Sequence, residues 1–542
     1  MELKQRNMQT MLELVKVPGI SGTESENLTA GKIYGILSEF EYFKTNSENL
    51  KLIEIKGDPY RRCFVSALYK SKYNTNKTII LTGHFDVVGV EEFGHLKDFA
   101  FSPVELTNRI DELELSDEAK HDLESNDYIF GRGTADMKFG LSLYIELLRD
   151  ICNEDNLNGN VLFLAVPSEE SNSEGMLGAL PYLTELQENG LEFISLFLSE
   201  CSMPKHDDTI KYIYLGSVGK IMPLFFFAGK ETHVHEPFTG LNANLLASEL
   251  NRLFELNSDF CDRIGDDTVP PPTCLKQMDL KELYSVQTPL YAASYYNLMT
   301  LDLNANDLII KLKNLCEKAF INAFDIVEKR RIEYEGISGE KINKKHLKYT
   351  VLTYEELFNE VKKIYGESFN DELRLKVKKW QDEKMDNQNI AINIVKETYE
   401  KYPNKVPTIV IAFSPPYYPD KSADLSDIRV KKLHNIINEI IEIGKREYGQ
   451  IIEKQNYFTG ICDLSYTGIK CEEKLNIISS NLLGLGLNYN LPIESLKKLN
   501  IPAANFGGLG KDFHKYTERL NISYSFDVVP KLYKHIISKI FD

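Results

Sequence analysis

Five short apolar runs in this chain each end in a carboxylate or a histidine. Residues 79–81 lead into Gly83-His84-Phe85-Asp86, 128–130 into Gly-Arg-Gly-Thr-Ala-Asp136, and 161–166 into Pro-Ser-Glu169-Glu170. Residues 193–198 lead into Ser-Glu200, and 503–506 into Gly-Gly-Leu-Gly-Lys-Asp-Phe-His514. Short apolar runs bounded by turn residues fit buried strands. In an open α/β sheet the carboxyl ends of the strands form the ligand crevice, so the five ends are predicted to converge although they lie far apart in sequence. Side chains two apart on an extended chain point the same way, so His84 and Asp86 face one site. An aspartate there can take the proton on the far imidazole nitrogen, which fixes the tautomer and makes His84 a better ligand.

Between these runs the spacing turns helical. Residues 7–17 predict one helix, and Thr23-Glu-Ser-Glu26 a capping box that opens a second, to about residue 40. Residues 63–69 alternate as a strand, expected beside 79–81, and 90–125 read as a long polar loop with one helix that leaves His95 and His121 in solvent. Helices at 140–151 and 175–186 follow the Asp136 and Glu169-Glu170 turns. Strand then helix, three times over, predicts parallel pairing and a helix-covered sheet.

Near residue 219 the ligand pattern stops. Residues 220–228, 291–303 and 408–413 read as strands, 241–256 and 307–331 as helices, and 353–401 as a charged helical region with a solvated face and no assigned role. Helix 430–447 follows, and 523–540 holds pieces that close the sheet. The expected fold is α/β: a catalytic domain of residues 1–218 and 423–542, built on a helix-covered, mixed and mostly parallel sheet, with an α+β domain, 219–422, inserted into it.

Composition narrows the classes of partner. Hydrophobic residues make up 43% and charged residues 26% of 542, a globular profile. The longest uncharged apolar stretch, 221–228, is far short of the ~20 residues that span a bilayer, and the start has no basic segment followed by an apolar core. No membrane association is expected, and a cytoplasmic location is. The balance of 63 basic and 80 acidic residues gives a net charge of −17, which repels phosphate backbones, so nucleic acid is excluded as a partner. Eight cysteines, at 63, 152, 201, 261, 274, 316, 462 and 471, show no Cys-x-x-Cys spacing and read as reduced packing residues.

Two imidazoles and three carboxylates suffice for a pair of zinc ions sharing a bridging carboxylate. One arrangement gives His84, Asp136 and Glu200 to one ion and Asp136, Glu170 and His514 to the other. Glu169 then stays free to move a proton between water and the leaving nitrogen.

Gly-His84-Phe-Asp86-Val-Val, Gly-Arg-Gly-Thr-Ala-Asp136-Met-Lys, Pro-Ser-Glu169-Glu170 and Asp-Phe-His514-Lys-Tyr-Thr-Glu518, in that order, resemble the signature of the M20 family of co-catalytic zinc exopeptidases and amidohydrolases. The resemblance implies that Asp136 bridges the ions, Glu169 is the general base and Asp86 supports His84. It further implies two Zn2+ (with Co2+ or Mn2+ as substitutes), a small-molecule or short-peptide substrate, an inserted lid domain and, as in many relatives, a homodimer. In Gly229-Lys-Glu-Thr-His233-Val-His235-Glu-Pro237, His233 resembles the lid histidine that steadies the oxyanion, with His235 as the fallback. Pro-Pro-Pro-Thr273-Cys-Leu-Lys, Phe458-Thr-Gly-Ile-Cys-Asp463-Leu-Ser-Tyr466 and the segment around His514 extend the likeness to the RocB-type arginine-utilisation proteins. Where many members carry Asp-x-Arg on a lid strand, this chain reads Asp302-Leu303-Asn304. Asp463 is read as a substrate contact or a turn cap, Glu518 as a partner of His514 or a surface ion pair, and Lys138 as a capping or packing residue. The competing expectation is a binding protein that keeps the scaffold without turnover.

Overall fold

The structure, a computed structural model, describes residues 2–204, 209–343, 347–469 and 472–542, so Cys471 lies outside the described residues. The chain forms two compact units. One comprises Met1–Ser217, Lys421–Ile469 and Pro492–Asp542, and the other Val218–Asp420 and Lys470–Leu491.

The first unit is built on an eight-stranded mixed sheet, in the order Leu50–Glu54, Cys63–Tyr69, Asn160–Val166, Lys77–His84, Glu192–Leu198, Ala503–Asn505, Ile210–Tyr214, Ile451–Gln455. The four central strands, from Asn160–Val166 to Ala503–Asn505, run parallel. Their carboxyl ends therefore share one edge of the sheet, where the chain continues into Phe85, Pro167, Ser199 and Phe506. Strand Cys63–Tyr69 pairs antiparallel with Asn160–Val166 rather than beside residues 79–81. Both neighbours of the Lys77–His84 strand are central, which is why that run is apolar on both faces. On one face Ile79, Leu81, Phe163 and Phe197 pack with Leu14 of helix Leu3–Val15, Leu141 and Leu148 of Phe139–Glu154, and Leu532 and Ile536 of Val529–Ile540.

Three local expectations change. Thr23 does not cap: its hydroxyl donates to the Ile20 carbonyl, while Glu26 is buried, accepts the Gly22 N–H and pairs with Arg62. The run 128–130 leaves the main sheet and forms a small antiparallel one with Arg519–Asn521 and Gly510–Lys511, which draws the Asp136 turn beside the His514 segment. Residues 90–125 are not simply loop. Phe93, Leu96, Leu106, Ile110 and Ala119 bury themselves with Phe130 as a satellite core, at spacings too irregular to read as one period.

The second unit carries a five-stranded sheet, in the order Thr273–Asp279, Tyr291–Thr300, Gly219–Ala228, Thr408–Tyr418, Thr350–Thr353. The charged region is three helices, Tyr354–Tyr365, Ser368–Asp382 and Asn387–Lys401. Its first helix opens with a capping box between Thr353 and Glu356. They do more than present charge to water: Leu357, Val361, Leu373, Val377 and Val395 close a core against Leu224, Phe226 and Val410. Lys470–Leu491 clusters with this unit rather than with the C-terminal part of the first. Buried Leu475 and Ile478 account for this, as helix Glu472–Asn481 packs on the Ala305–Ser338 helix and the Thr408–Tyr418 strand. Among the described residues no helix is long and apolar enough to cross a membrane, and the seven described cysteines are free thiols.

Candidate metal centre

His84 ends the central strand Lys77–His84 and is buried. Glycine precedes it because Met137 lies against the backbone: a Cβ at position 83 would stand 2.5 Å from the Met137 Cε, and the His84 N–H points at the Met137 Sδ, 3.3 Å away. The Nδ1 of His84 is 3.0 Å from the backbone carbonyl oxygen of Asp86, an acceptor only, so the neutral ring keeps its proton on Nδ1. Nε2 then turns its lone pair to the acidic side of the site. It lies 3.0 Å from Asp136 Oδ1, 3.3 Å from Glu200 Oε1 and 4.0 Å from Glu169 Oε2.

The carboxylate of Asp86 is engaged elsewhere. Its nearer oxygen is 3.5 Å from His84 Nδ1, while Oδ1 and Oδ2 accept the backbone N–H groups of Glu169 at 3.0 Å and Glu170 at 3.2 Å. Asp86 thus supports His84 through its carbonyl and fixes the Glu169-Glu170 turn through its side chain. That turn begins at Ser168, whose φ of 68° puts it in the left-handed region.

Glu200 follows the strand Glu192–Leu198, and the strand Ala503–Asn505 leaves the sheet directly against it. A Cβ at Gly507 would collide with the carbonyl oxygens of Ser199 and Glu200, so this close passage needs glycine. The exit leads to His514, which is half exposed and takes φ 63°. Its Nε2 is 3.0 Å from Glu170 Oε2 and 3.2 Å from Asp136 Oδ2. Asp136 therefore presents one oxygen to each imidazole. Ligand atoms of His84, Asp136 and Glu170 all lie within 4.8 Å of one another, a group that can hold a metal ion.

Four acidic side chains, Asp136, Glu169, Glu170 and Glu200, crowd the two imidazoles in this pocket. Burial pushes the Glu169 carboxyl well above the usual carboxylate range, Glu170 to about 7, and Glu200 upward. Burial opposes the charged form of His84, yet the Glu200 charge and the hydrogen bond to Asp136 outweigh it and raise the ring well above its ordinary value. Hydrogen bonds to Asp136 and Glu170 push His514 to about 10. Burial works to raise Asp136, but the two imidazoles hold it below the usual range. Nitrogen and oxygen donors of this kind would suit a divalent cation such as zinc.

Three further charged side chains, Glu518, Lys138 and Asp463, are buried. Glu518 is buried and turns away from His514: it accepts the N–H groups of Ala135 and Asp136 and pairs with buried Arg132. Lys138 is buried, donates to the carbonyls of Val17 and Pro18, and is pushed down to about 7 by burial. Asp463 caps nothing in the short helix Asp463–Thr467; it is buried, and burial lifts its carboxyl to about 7 against the pull of His84. No periodicity marks these residues, because a buried charge is set by what packs over it. His233 belongs to the second unit, on an exposed loop bridged to Gln287, where its Nδ1 accepts the His235 N–H.

Residues 80–467 match the family described as Peptidase family M20/M25/M40. Protein YqjN of Bacillus subtilis strain 168 is 35% identical over 99% of this chain and 96% of its own length. Protein RocB of the same organism is 29% identical over 96% of this chain and 92% of its own. The solved structure of the di-peptidase Dug1p from Saccharomyces cerevisiae aligns with a TM-score of 0.53 over 99% of this chain and 96% of that one, at 12% identity, a likeness of fold. The chain is therefore a member of peptidase family M20/M25/M40, a hydrolytic enzyme acting on amide bonds.

Proposed function

We propose that the protein is a dinuclear metal-dependent hydrolase that cleaves the amide or peptide C–N bond of a small amino-acid derivative or short peptide. The observation that carries this function is Asp136, whose two oxygens lie 3.0 and 3.2 Å from the Nε2 atoms of His84 and His514. A carboxylate placed between two imidazoles, with one further carboxylate beside each, is the donor set of a paired metal site. His84, Asp136 and Glu200 would hold one ion and Asp136, Glu170 and His514 the other. Ions bound there would supply Lewis acidity toward the scissile carbonyl and toward water.

The chain's own residues supply the rest. Glu169 accepts the proton of the attacking water and returns it to the leaving nitrogen. Asp86 fixes the turn that carries Glu169 and, through its carbonyl, the tautomer of His84. His233 is assigned the hydrogen bond to the oxyanion from the family resemblance. The domain of residues 219–422 is assigned the lid role on the same ground. Zinc is the proposed ion, with cobalt or manganese as substitutes, in a cytoplasmic protein that forms homodimers. The likeness to RocB supports arginine and ornithine derivatives as the first substrates to try. A panel of N-acylated amino acids and dipeptides, assayed with metal-loaded protein and with Glu169→Gln, tests the function. Turnover by the wild type and its loss in the variant support it; turnover unchanged in the variant removes Glu169 from the chemistry.

A further inference from the structure

The turn that carries Asp136 has little regular backbone structure of its own. Asp136 sits at φ −120°, ψ 95° and Met137 at φ −129°, ψ 39°, both outside helical geometry. The N–H groups of Ala135 and Asp136 instead donate to one atom, Oε1 of Glu518, at 3.2 and 3.3 Å. The other oxygen of Glu518 accepts from the Arg132 guanidinium at 2.5 Å. Arg132 is itself fixed by Glu92 and by the Gly89 carbonyl at 3.3 Å. The backbone of Glu518 is pinned as well: its carbonyl accepts the Gly131 N–H at 3.1 Å and its N–H donates to Lys515 at 3.0 Å. Both Glu518 and Arg132 are fully buried.

Glu518 is four residues after His514. One side chain thereby ties the backbone of the central carboxylate to the segment that delivers the second imidazole, across a gap of 3.2 Å between His514 Nε2 and Asp136 Oδ2. We propose that Glu518, held by Arg132, is a positioning residue that sets the spacing of Asp136 and His514 and so tunes the affinity of both halves of the metal site. The proposal rests on the dinuclear function above. Glutamine at 518 keeps the shape but not the bonding: its NH2 group must face either the two backbone N–H groups or the guanidinium, and donors then oppose donors.

The test is titration of metal-free protein with Zn2+ by calorimetry and with Co2+ by visible absorption. Glu518→Gln is expected to bind both ions about 10- to 100-fold more weakly, the usual effect of losing such an outer partner, and to change the Co2+ absorption bands. Arg132→Lys is expected to weaken binding in the same direction and serves if the first variant does not fold. Glu146→Gln removes an equally buried carboxylate that pairs with Arg6 and Arg149, and is expected to lower thermal stability while leaving both isotherms unchanged. Wild-type affinities and wild-type Co2+ bands in both Glu518→Gln and Arg132→Lys would overturn the proposal. A wild-type protein that takes up fewer than two ions would instead overturn the dinuclear function, so the two failures are distinct.

Discussion

Oδ1 of Asp86 accepts the backbone N–H of Glu169 at 3.0 Å. The base proposed for the reaction is thus held by an acid that ligates nothing, through the main chain rather than through its side chain. Asp86→Asn keeps the size of the side chain but turns an NH2 group toward one of two backbone donors. A buried hydrogen bond to a charged group contributes about 1.5–3 kcal/mol. The variant is expected to lose about 2 kcal/mol of stability in urea denaturation and to turn over about 10- to 100-fold more slowly. Stability and rate both at wild-type values would contradict the role given to Asp86.

Glu169 contacts no ligand nitrogen more closely than 4.0 Å, unlike Glu170 and Glu200. Glu169→Gln is expected to retain its metal, measured by elemental analysis, and to lose about 10²- to 10⁴-fold in kcat, the usual contribution of a general base. Loss of metal together with activity would show instead that Glu169 is a ligand.

The metal-free protein is expected to lose stability as pH rises, while the stabilisation gained from metal grows. His514 is raised from its ordinary 6.5 to about 10 and Glu170 from 4.5 to about 7, so the folded metal-free protein binds more protons than the unfolded chain over that range. Stability from these groups is present at low pH and is lost as pH rises through about 7 and then about 10. Metal must displace the same protons, so its affinity rises with pH. Thermal melts from pH 6.5 to 9 should show Tm falling without metal and the gain on adding Zn2+ growing. A metal-induced gain that shrinks with pH would contradict the assignment of His514 and Glu170 as ligands.

Gly507→Ala and Gly83→Ala differ in what the new methyl meets. At 507 it meets the carbonyl oxygens of Ser199 and Glu200, which are backbone; at 83 it meets the end of the Met137 side chain, which can turn away. Overpacking a tight site costs about 1–3 kcal/mol. Gly507→Ala is expected at the upper end and Gly83→Ala at the lower, by chemical denaturation. The reverse order would mean that the passage of residue 507 past Glu200 is not tight.

The strand ends were legible because burial on both faces leaves an unbroken apolar run, and a ligand at its end interrupts it. His84, Glu169, Glu170 and Glu200 follow from that pattern. The run before Asp136 reads the same way yet pairs outside the main sheet, since three apolar residues do not specify a partner. Arg132 and Glu518 were hidden for another reason. Each is a charge whose burial depends on the other, and the two lie 386 positions apart. The charged helices of residues 354–401 misled in the opposite sense: Leu357, Val361 and Val377 are spaced among many lysines and glutamates, and only packing shows that they close a core.

Anomalous diffraction from crystals of the zinc-loaded protein tests the central claim most directly. Two peaks about 3.5–4 Å apart are expected, one beside His84 and Glu200, the other beside His514 and Glu170, with an oxygen of Asp136 on each. A single peak, or two peaks that Asp136 does not join, would contradict it.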